Sequence, residues 1–277
     1  MSARPRPALV AAIVCGTSPV TQASPSGNSP PDFEVVFSGD AHLQSFTYSH
    51  PGPDNWIDTI IGIESRLLRY KSTYLLFGFE NETDMGKGEQ YGVFDPNRGR
   101  WTFDLGTRTE FASHFFEVWL RHDCYHGIDR FLPGQDFKGT SEGIGFGSLG
   151  YLPRNRYKGH DTSGGFRIPL KLDYYLNPMA YAPLGDPWQR HPYKFRLGAE
   201  LRLELLSWQW FGVALGSVNQ FYYTTSNEVQ RSHQLRMDAI LYGSAASLIA
   251  FAGWWPHDDQ LLRNRQGKLV FGLELTL

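Results

Sequence analysis

The sequence predicts an all-β chain: a closed antiparallel transmembrane β-barrel of about twelve strands, within a range of roughly 10–12. Three observations predict it. Segments of about ten residues alternate apolar and polar side chains, the period of a strand with one oily face and one polar face. Aromatic residues reach 15% of the chain while mean hydropathy is only -0.36, which a barrel reconciles by turning every second residue toward a wet lumen. The links between segments alternate between short and long, as in barrels with tight turns at one end and larger loops at the other.

Composition sets the bounds. The 277 residues suffice for one large barrel or for one to two soluble domains. With 26 Lys+Arg against 28 Asp+Glu, the net charge of -2 gives no reason to expect a nucleic-acid partner. The longest apolar stretch beyond the N-terminal region, Ala245 to Trp255, falls short of the ~20 residues a spanning helix needs. It suits a tilted spanning strand of ~9–11 residues. No cofactor is expected.

The first residues read as a secretory signal over 1–23. Arg4 and Arg6 are basic, Ala8 to Gly16 is apolar, and Thr21-Gln22-Ala23 offers small residues at the two cleavage positions. A lipoprotein reading centred on Cys15 is weaker, because bulky Val14 precedes it. Cleavage after Ala23 removes two basic residues, leaving 26 - 2 = 24 against 28 acidic and a net of -4. Cys124 is then the one remaining cysteine, and no intramolecular disulfide can form. Residues 24–40 follow as a flexible lead-in, with Ser24 to Pro31 rich in Ser and Pro, and the barrel domain occupies 41–277.

Strands are expected near 42–49, 59–70, 73–82, 99–107, 110–124, 141–151, 165–176, 193–204, 209–222, 231–242, 246–255 and 267–277. In 73–82, Leu75, Phe77 and Phe79 oppose Gly78, Glu80 and Glu82. In 99–107, Trp101, Phe103 and Leu105 oppose Arg100, Thr102 and Asp104. In 141–151, glycines at every second position mark a strand packed closely on a neighbour or sharply bent. No helix is expected to follow Gly143 to Gly150, which excludes a phosphate-cradling loop. In 193–204, Phe195, Leu197, Ala199, Leu201 and Leu203 oppose Lys194, Arg196, Gly198, Glu200, Arg202 and Glu204, an alternating-charge row suited to a lumen.

Short links are expected near Lys71-Ser72, Thr107 to Thr109, Leu205 to Trp208 and Gly243 to Ala245. Longer ones are expected at 50–58, 83–98, 125–140, 177–192, 223–230 and 256–266, with 152–164 a long link on the short-turn side. His160-Asp161-Thr162-Ser163 lies within that last link and reads as a turn. Aromatics gather where interfacial girdles would lie: Trp208 and Trp210 at the inner rim, Phe221, Tyr222, Tyr223, Trp254 and Trp255 at the outer. Backbone groups left unpaired in hydrocarbon cost several kcal/mol each, so a spanning sheet must close.

The last eleven residues, Gly267 to Leu277, place Leu269, Phe271, Leu273, Leu275 and Leu277 on one face, with Gly272, Glu274 and Thr276 between them. This pattern resembles the terminal strand of Gram-negative outer-membrane β-barrels, which the insertion machinery reads as a signal. Those proteins usually end in Phe where this chain has Leu277. The resemblance implies residence in the cell outer membrane. It also implies two partners: outer-membrane lipid, and the barrel-assembly machinery reached through Leu269, Phe271, Leu273, Leu275 and Leu277.

The densest polar group is Glu117 to Arg130 (EVWLRHDCYHGIDR). Strand parity places His114, Phe116, Val118, Leu120, His122, Cys124 and His126 on one face and Glu117, Trp119, Arg121 and Asp123 on the other. Glu117, Arg121 and Asp123 then point into the lumen, where Arg121 pairs with a carboxylate. Three readings follow. The plainest is an ion-paired rim with interfacial histidines, since charged lumens are ordinary in barrels. The second is a lipid ester hydrolase. Outer-membrane phospholipases and lipid A deacylases carry a His-x-Ser pair on the barrel exterior, and His122-x-Cys124 has that spacing with Cys in place of Ser. Cys124 would be the nucleophile, His122 its base and Asp129 the orienting acid. The third is a metal site of His122, His126 and Asp123 or Asp129, weakened because His122 and Asp123 point to opposite faces.

Function therefore divides between a channel or surface barrel, an outer-leaflet lipid hydrolase, and a soluble secreted β-domain.

Overall fold

The structure is a computed structural model of the chain. It describes residues 33–52, 55–86, 95–111, 114–127, 139–151, 171–181, 193–259 and 265–277. The expected cleavage site after Ala23 lies outside them, as does Asp129.

The described residues are all-β and antiparallel. The strands are β1 (Phe33–Gly52), β2 (Asn55–Tyr70), β3 (Thr73–Gly86), β4 (Asp95–Phe111), β5 (His114–Gly127), β6 (Gly139–Tyr151), β7 (Lys171–Tyr181), β8 (Tyr193–Trp208), β9 (Phe211–Thr224), β10 (Val229–Tyr242), β11 (Ser247–Asp258) and β12 (Leu269–Thr276). Each pairs with its neighbour in the chain, and β1 also pairs with β12, from His42↔Thr276 to Tyr48↔Val270. The ladder of neighbours thereby returns to its start.

Several expected boundaries move. β1 begins at Phe33 rather than near residue 41, so the end of the expected lead-in is strand, paired with β2 from Phe33↔Tyr70. Most of the link expected over 50–58 is strand: β1 runs to Gly52 and β2 starts at Asn55, and these two residues pair. Thr107 to Thr109 is strand rather than turn: these residues pair with Val118, Glu117 and Phe116, and Arg108 is tied to carboxylates on either side. β8 continues through Leu205 to Trp208, and its turn falls at 209–210. A register shift between Glu204 and Leu206 supplies the extra residue that lets the strand run on. Of the strand expected over 165–176, β7 is described from Lys171 onward, and 152–170 lies outside the described residues.

The two faces differ in chemistry. Phe195, Leu197, Leu201, Phe271 and Leu273 are 41%, 38%, 43%, 48% and 56% exposed, and all point outward. Asp58, Asp84, Glu117 and Asp238 are 1%, 1%, 4% and 3% exposed, and all point inward. A water-soluble β-domain places these two sets the other way round.

The inward face is not uniformly polar. Phe46, Tyr48, Phe251, Trp255 and Val270 form one buried cluster, with Ile60 against it, and Ala214, Ile240 and Ile249 form another, with Tyr242 against it. Tyr222 and Trp255 belong to this interior and not to the outer girdle, because they alternate with the outward-facing Phe221, Tyr223 and Trp254. Trp208 and Trp210 are exposed at the β8–β9 turn, ring centroids 5.8 Å apart.

Candidate functional site

The inner wall carries the chemistry, and strand parity brings it there. Ion pairs on this wall repeatedly reach over an intervening strand. His42 of β1 lies 3.7 Å from Glu80 of β3. Arg66 of β2 lies 3.6 Å from Glu110 of β4. Arg108 of β4 reaches Glu64 of β2 at 2.9 Å and also bonds Glu117 of β5, to which Tyr175 of β7 donates at 3.0 Å. Arg202 of β8 lies 3.6 Å from Asp238 of β10, and Arg236 of β10 bonds both Asp238 and Glu274 of β12.

Concave curvature explains the pattern, since inward side chains of next-nearest strands converge. The strand between must leave room. His42 and Glu80 both pair at Cα level with Gly62 of β2, where a Cβ would lie 2.1 Å from the His42 ring. Buried charges of this kind are costly to desolvate and persist because each guanidinium and carboxylate finds partners.

At the end of the sheet carrying the β11–β12 connection, four charged side chains converge. Arg265 donates through Nη2 to Asp58 Oδ2 and to Glu82 Oε1, both at 3.2 Å. Its guanidinium carbon lies 5.0 Å from the Trp255 ring centre, 5.9 Å from Phe46 and 6.0 Å from Tyr48. Tyr48 donates its hydroxyl to Asp58. Oxygens of Asp58, Glu82 and Asp84 lie within 4.8 Å of one another. Burial opposes the Arg265 charge, but Tyr48, Asp58, Asp84 and Asp258 outweigh it and hold its pKa above the ordinary arginine value. A cradle of acidic oxygens that would otherwise suit a hard cation is thus neutralised from within the chain.

Two hydrogen bonds hold the Arg265 backbone: its N–H donates to Asp258 Oδ2 at 3.3 Å, and the Lys268 N–H donates to its carbonyl at 2.9 Å. Gly267 turns the chain at φ 75° and donates to the Trp255 carbonyl at 2.7 Å. Nearby, burial works against the Asp259 charge, but hydrogen bonds from His257 and the Arg231 backbone outweigh it and hold the carboxyl below the usual range.

Glu117 and Arg121 lie on the inward face of the sheet. Arg121 does not pair with Glu117; it grips Asp104 of β4 through two bonds of 2.7 Å and lies 4.5 Å from the Trp119 ring centre. His122 lies on the outer face with its ring 6.3 Å from Phe103. At Cα level Cys124 pairs with Trp101 and Thr140, and Asp123 with Thr102 and Ser141. The side chains of Asp123, Cys124 and His126 lie outside the described residues, as does all of Asp129. The structure therefore does not bring His122, Cys124 and Asp129 together as a described group.

Sequence reasoning missed the Arg265 group. Asp58 and Arg265 fell in expected loops, and Glu82 counted only as one polar face among many. The available signal was parity: Asp58 lies in step with the polar face of its strand.

No protein-family model and no curated protein sequence matches this chain. Solved structures do match in fold. Outer-membrane phospholipase A from Escherichia coli aligns with a TM-score of 0.50 at 9% identity, over 88% of this chain and 94% of that one. An outer-membrane channel from Pseudomonas putida F1 aligns with a TM-score of 0.50 at 11% identity, over 90% and 99% of the two chains. The likeness is one of fold: an antiparallel sheet of the outer-membrane β-barrel type.

Proposed function

We propose that this chain is an integral outer-membrane protein, a closed barrel of about twelve spanning strands with a charged, partly aromatic lumen. One observation carries the reading: the large apolar side chains point outward while nearly buried carboxylates and arginines point inward. An aqueous protein with that arrangement would expose far more contiguous apolar surface than a soluble monomer tolerates. Pairing of β1 with β12 supports closure, because an open edge in hydrocarbon is prohibitively expensive. The described turns support orientation: 71–72, 209–210 and 243–246 all lie on the side of Leu277, and the β11–β12 connection that carries Arg265 lies on the opposite side. In the proposed orientation Leu277 faces the periplasm, and the Arg265 group lies at the outer mouth. Its function is that of a channel or surface barrel, and the outward face of Leu269, Phe271, Leu273, Leu275 and Leu277 addresses the assembly machinery.

The test is fractionation with heat-modifiable gel migration. Recovery in the outer-membrane fraction, with a mobility shift on boiling, is the expected result. A protein released by osmotic shock, with one mobility before and after boiling, would overturn the reading.

A lipid hydrolase remains the second reading, motivated by His122 on the outward face. Free fatty acid released by the purified protein, and lost in both His122→Ala and Cys124→Ala, is its expected signature. Release unaffected by either substitution removes these residues from any such role.

A further inference from the structure

Arg265 fits its surroundings incompletely. One nitrogen, Nη2, serves both carboxylates, while Nε is buried without a hydrogen-bond partner. On the acceptor side, Asp58 Oδ1 is buried without a partner although Oδ2 is bonded by both Tyr48 and Arg265. The walls are better suited to a planar cation than this tethered one exploits. Carboxylates lie on one side and three aromatic rings lie around it, the combination that holds guanidinium and alkylammonium groups.

The same group bridges several strands at the mouth. Arg265 enters from the β11–β12 connection and grips β2 and β3, so its side chain reaches past β12 and β1. Arg100 of β4 continues the line, 3.9 Å from Glu82. Tyr193 opens β8 at the same end of the sheet, its ring 4.5 Å from that of Tyr222. Charged and aromatic side chains of several strands thus gather at this end of the lumen.

We propose that Asp58, Glu82, Phe46, Tyr48 and Trp255 form a guanidinium-binding box at the outer mouth. Arg265 fills it at rest and closes the lumen, and small guanidinium-bearing solutes occupy it when Arg265 is withdrawn. The inference rests on the barrel reading for the existence of a lumen, but not on lipid. It can therefore be tested in detergent, separately from the fractionation experiment.

Ile60 packs against the aromatic cluster below the box. In a background with Cys15→Ser and Cys124→Ser, Ile60→Cys reports entry of a bulky charged maleimide. Adding Arg265→Ala is expected to speed labelling about tenfold, reflecting a shifted equilibrium between closed and open mouths. Methylguanidinium, at a concentration on the order of 10 mM suited to so small a ligand, is expected to restore slow labelling. Urea, its neutral counterpart in shape, is expected to leave labelling fast.

Asp58→Asn with Glu82→Gln, Arg265 retained, should also label fast and show no rescue. Heat-modifiable migration verifies that each variant is folded. If Arg265→Ala fails to fold, Arg265→Gln, which keeps a long side chain without the charge, takes its place with the same expected rescue. An unchanged labelling rate overturns the proposal. So does acceleration that methylguanidinium fails to reverse, rescue by urea as well, or rescue in the carboxylate-neutral variant.

Discussion

Arg121 and Asp104 sit directly opposite each other on β5 and β4, joined by two parallel hydrogen bonds of 2.7 Å from Nε and Nη2. A bidentate pair facing the lumen is stronger and more directional than a single-point contact. Breaking it is expected to cost more than deleting both partners, because a lone charge remains on a partly desolvated wall. Arg121→Met and Asp104→Leu should each destabilise the barrel by about 1–3 kcal/mol, and the double variant by less than their sum. Equilibrium unfolding in lipid vesicles, analysed as a double-mutant cycle, measures this; strict additivity would show the two residues to be energetically independent.

The two faces of β12 should respond oppositely to charge. Leu273→Arg places a cation on the outward face and is expected to cost about 2–4 kcal/mol if the site lies near the bilayer midplane. Glu274→Arg, on the inward face, strips Arg236 of one carboxylate but exposes no charge to lipid. Comparing the pair in vesicles and in detergent separates the effects. A Leu273→Arg cost that fails to exceed the Glu274→Arg cost in vesicles would count against a lipid-facing β12.

Gly62 makes the His42–Glu80 contact possible by leaving the space that the His42 ring occupies. Gly62→Ala is expected to displace His42 and lower barrel stability by about 1–3 kcal/mol, the cost of overpacking. Restoring space with Gly62→Ala plus His42→Ala should recover part of the loss. The midpoint of the heat-induced gel shift reports both, and equal midpoints for Gly62→Ala and the parent would refute the crowding.

Asp259 provides a pH prediction outside the strands. Its folded pKa lies below the ordinary 3.8, so its contacts with His257 and Arg231 add stability that is fully present above that value. They are lost only as pH falls through the lower, folded value. The carboxyl is therefore expected to stay ionised from neutral pH down past 3.8. A carbon-13 carboxyl titration of the folded protein tests this, and a midpoint at or above 3.8 contradicts it.

Much of the sheet is legible in the sequence because strand periodicity is local. The alternation of Phe195, Leu197 and Leu201 with Arg196 and Arg202 determines which side chains share a face, whatever the rest of the chain does. The terminal run from Leu269 to Leu277 likewise marks one continuous oily face. Local pattern was a poorer guide to where strands stop. The Glu204/Leu206 register shift and the ion pairs around Arg108 extend β8 and β4 beyond the points where their alternation weakens.

Only the tertiary structure decided which inward charges meet. Arg108 with Glu64, Arg236 with Glu274 and Arg265 with Asp58 are separated by 44, 38 and 207 positions. Their contact depends on the stagger between strands and on the return of β12 to β1, neither of which any single segment encodes. Curvature brings inward side chains of alternate strands within reach of one another on the concave wall. The same curvature gathers Phe46, Tyr48 and Trp255 around one guanidinium that the linear chain places in a connecting loop.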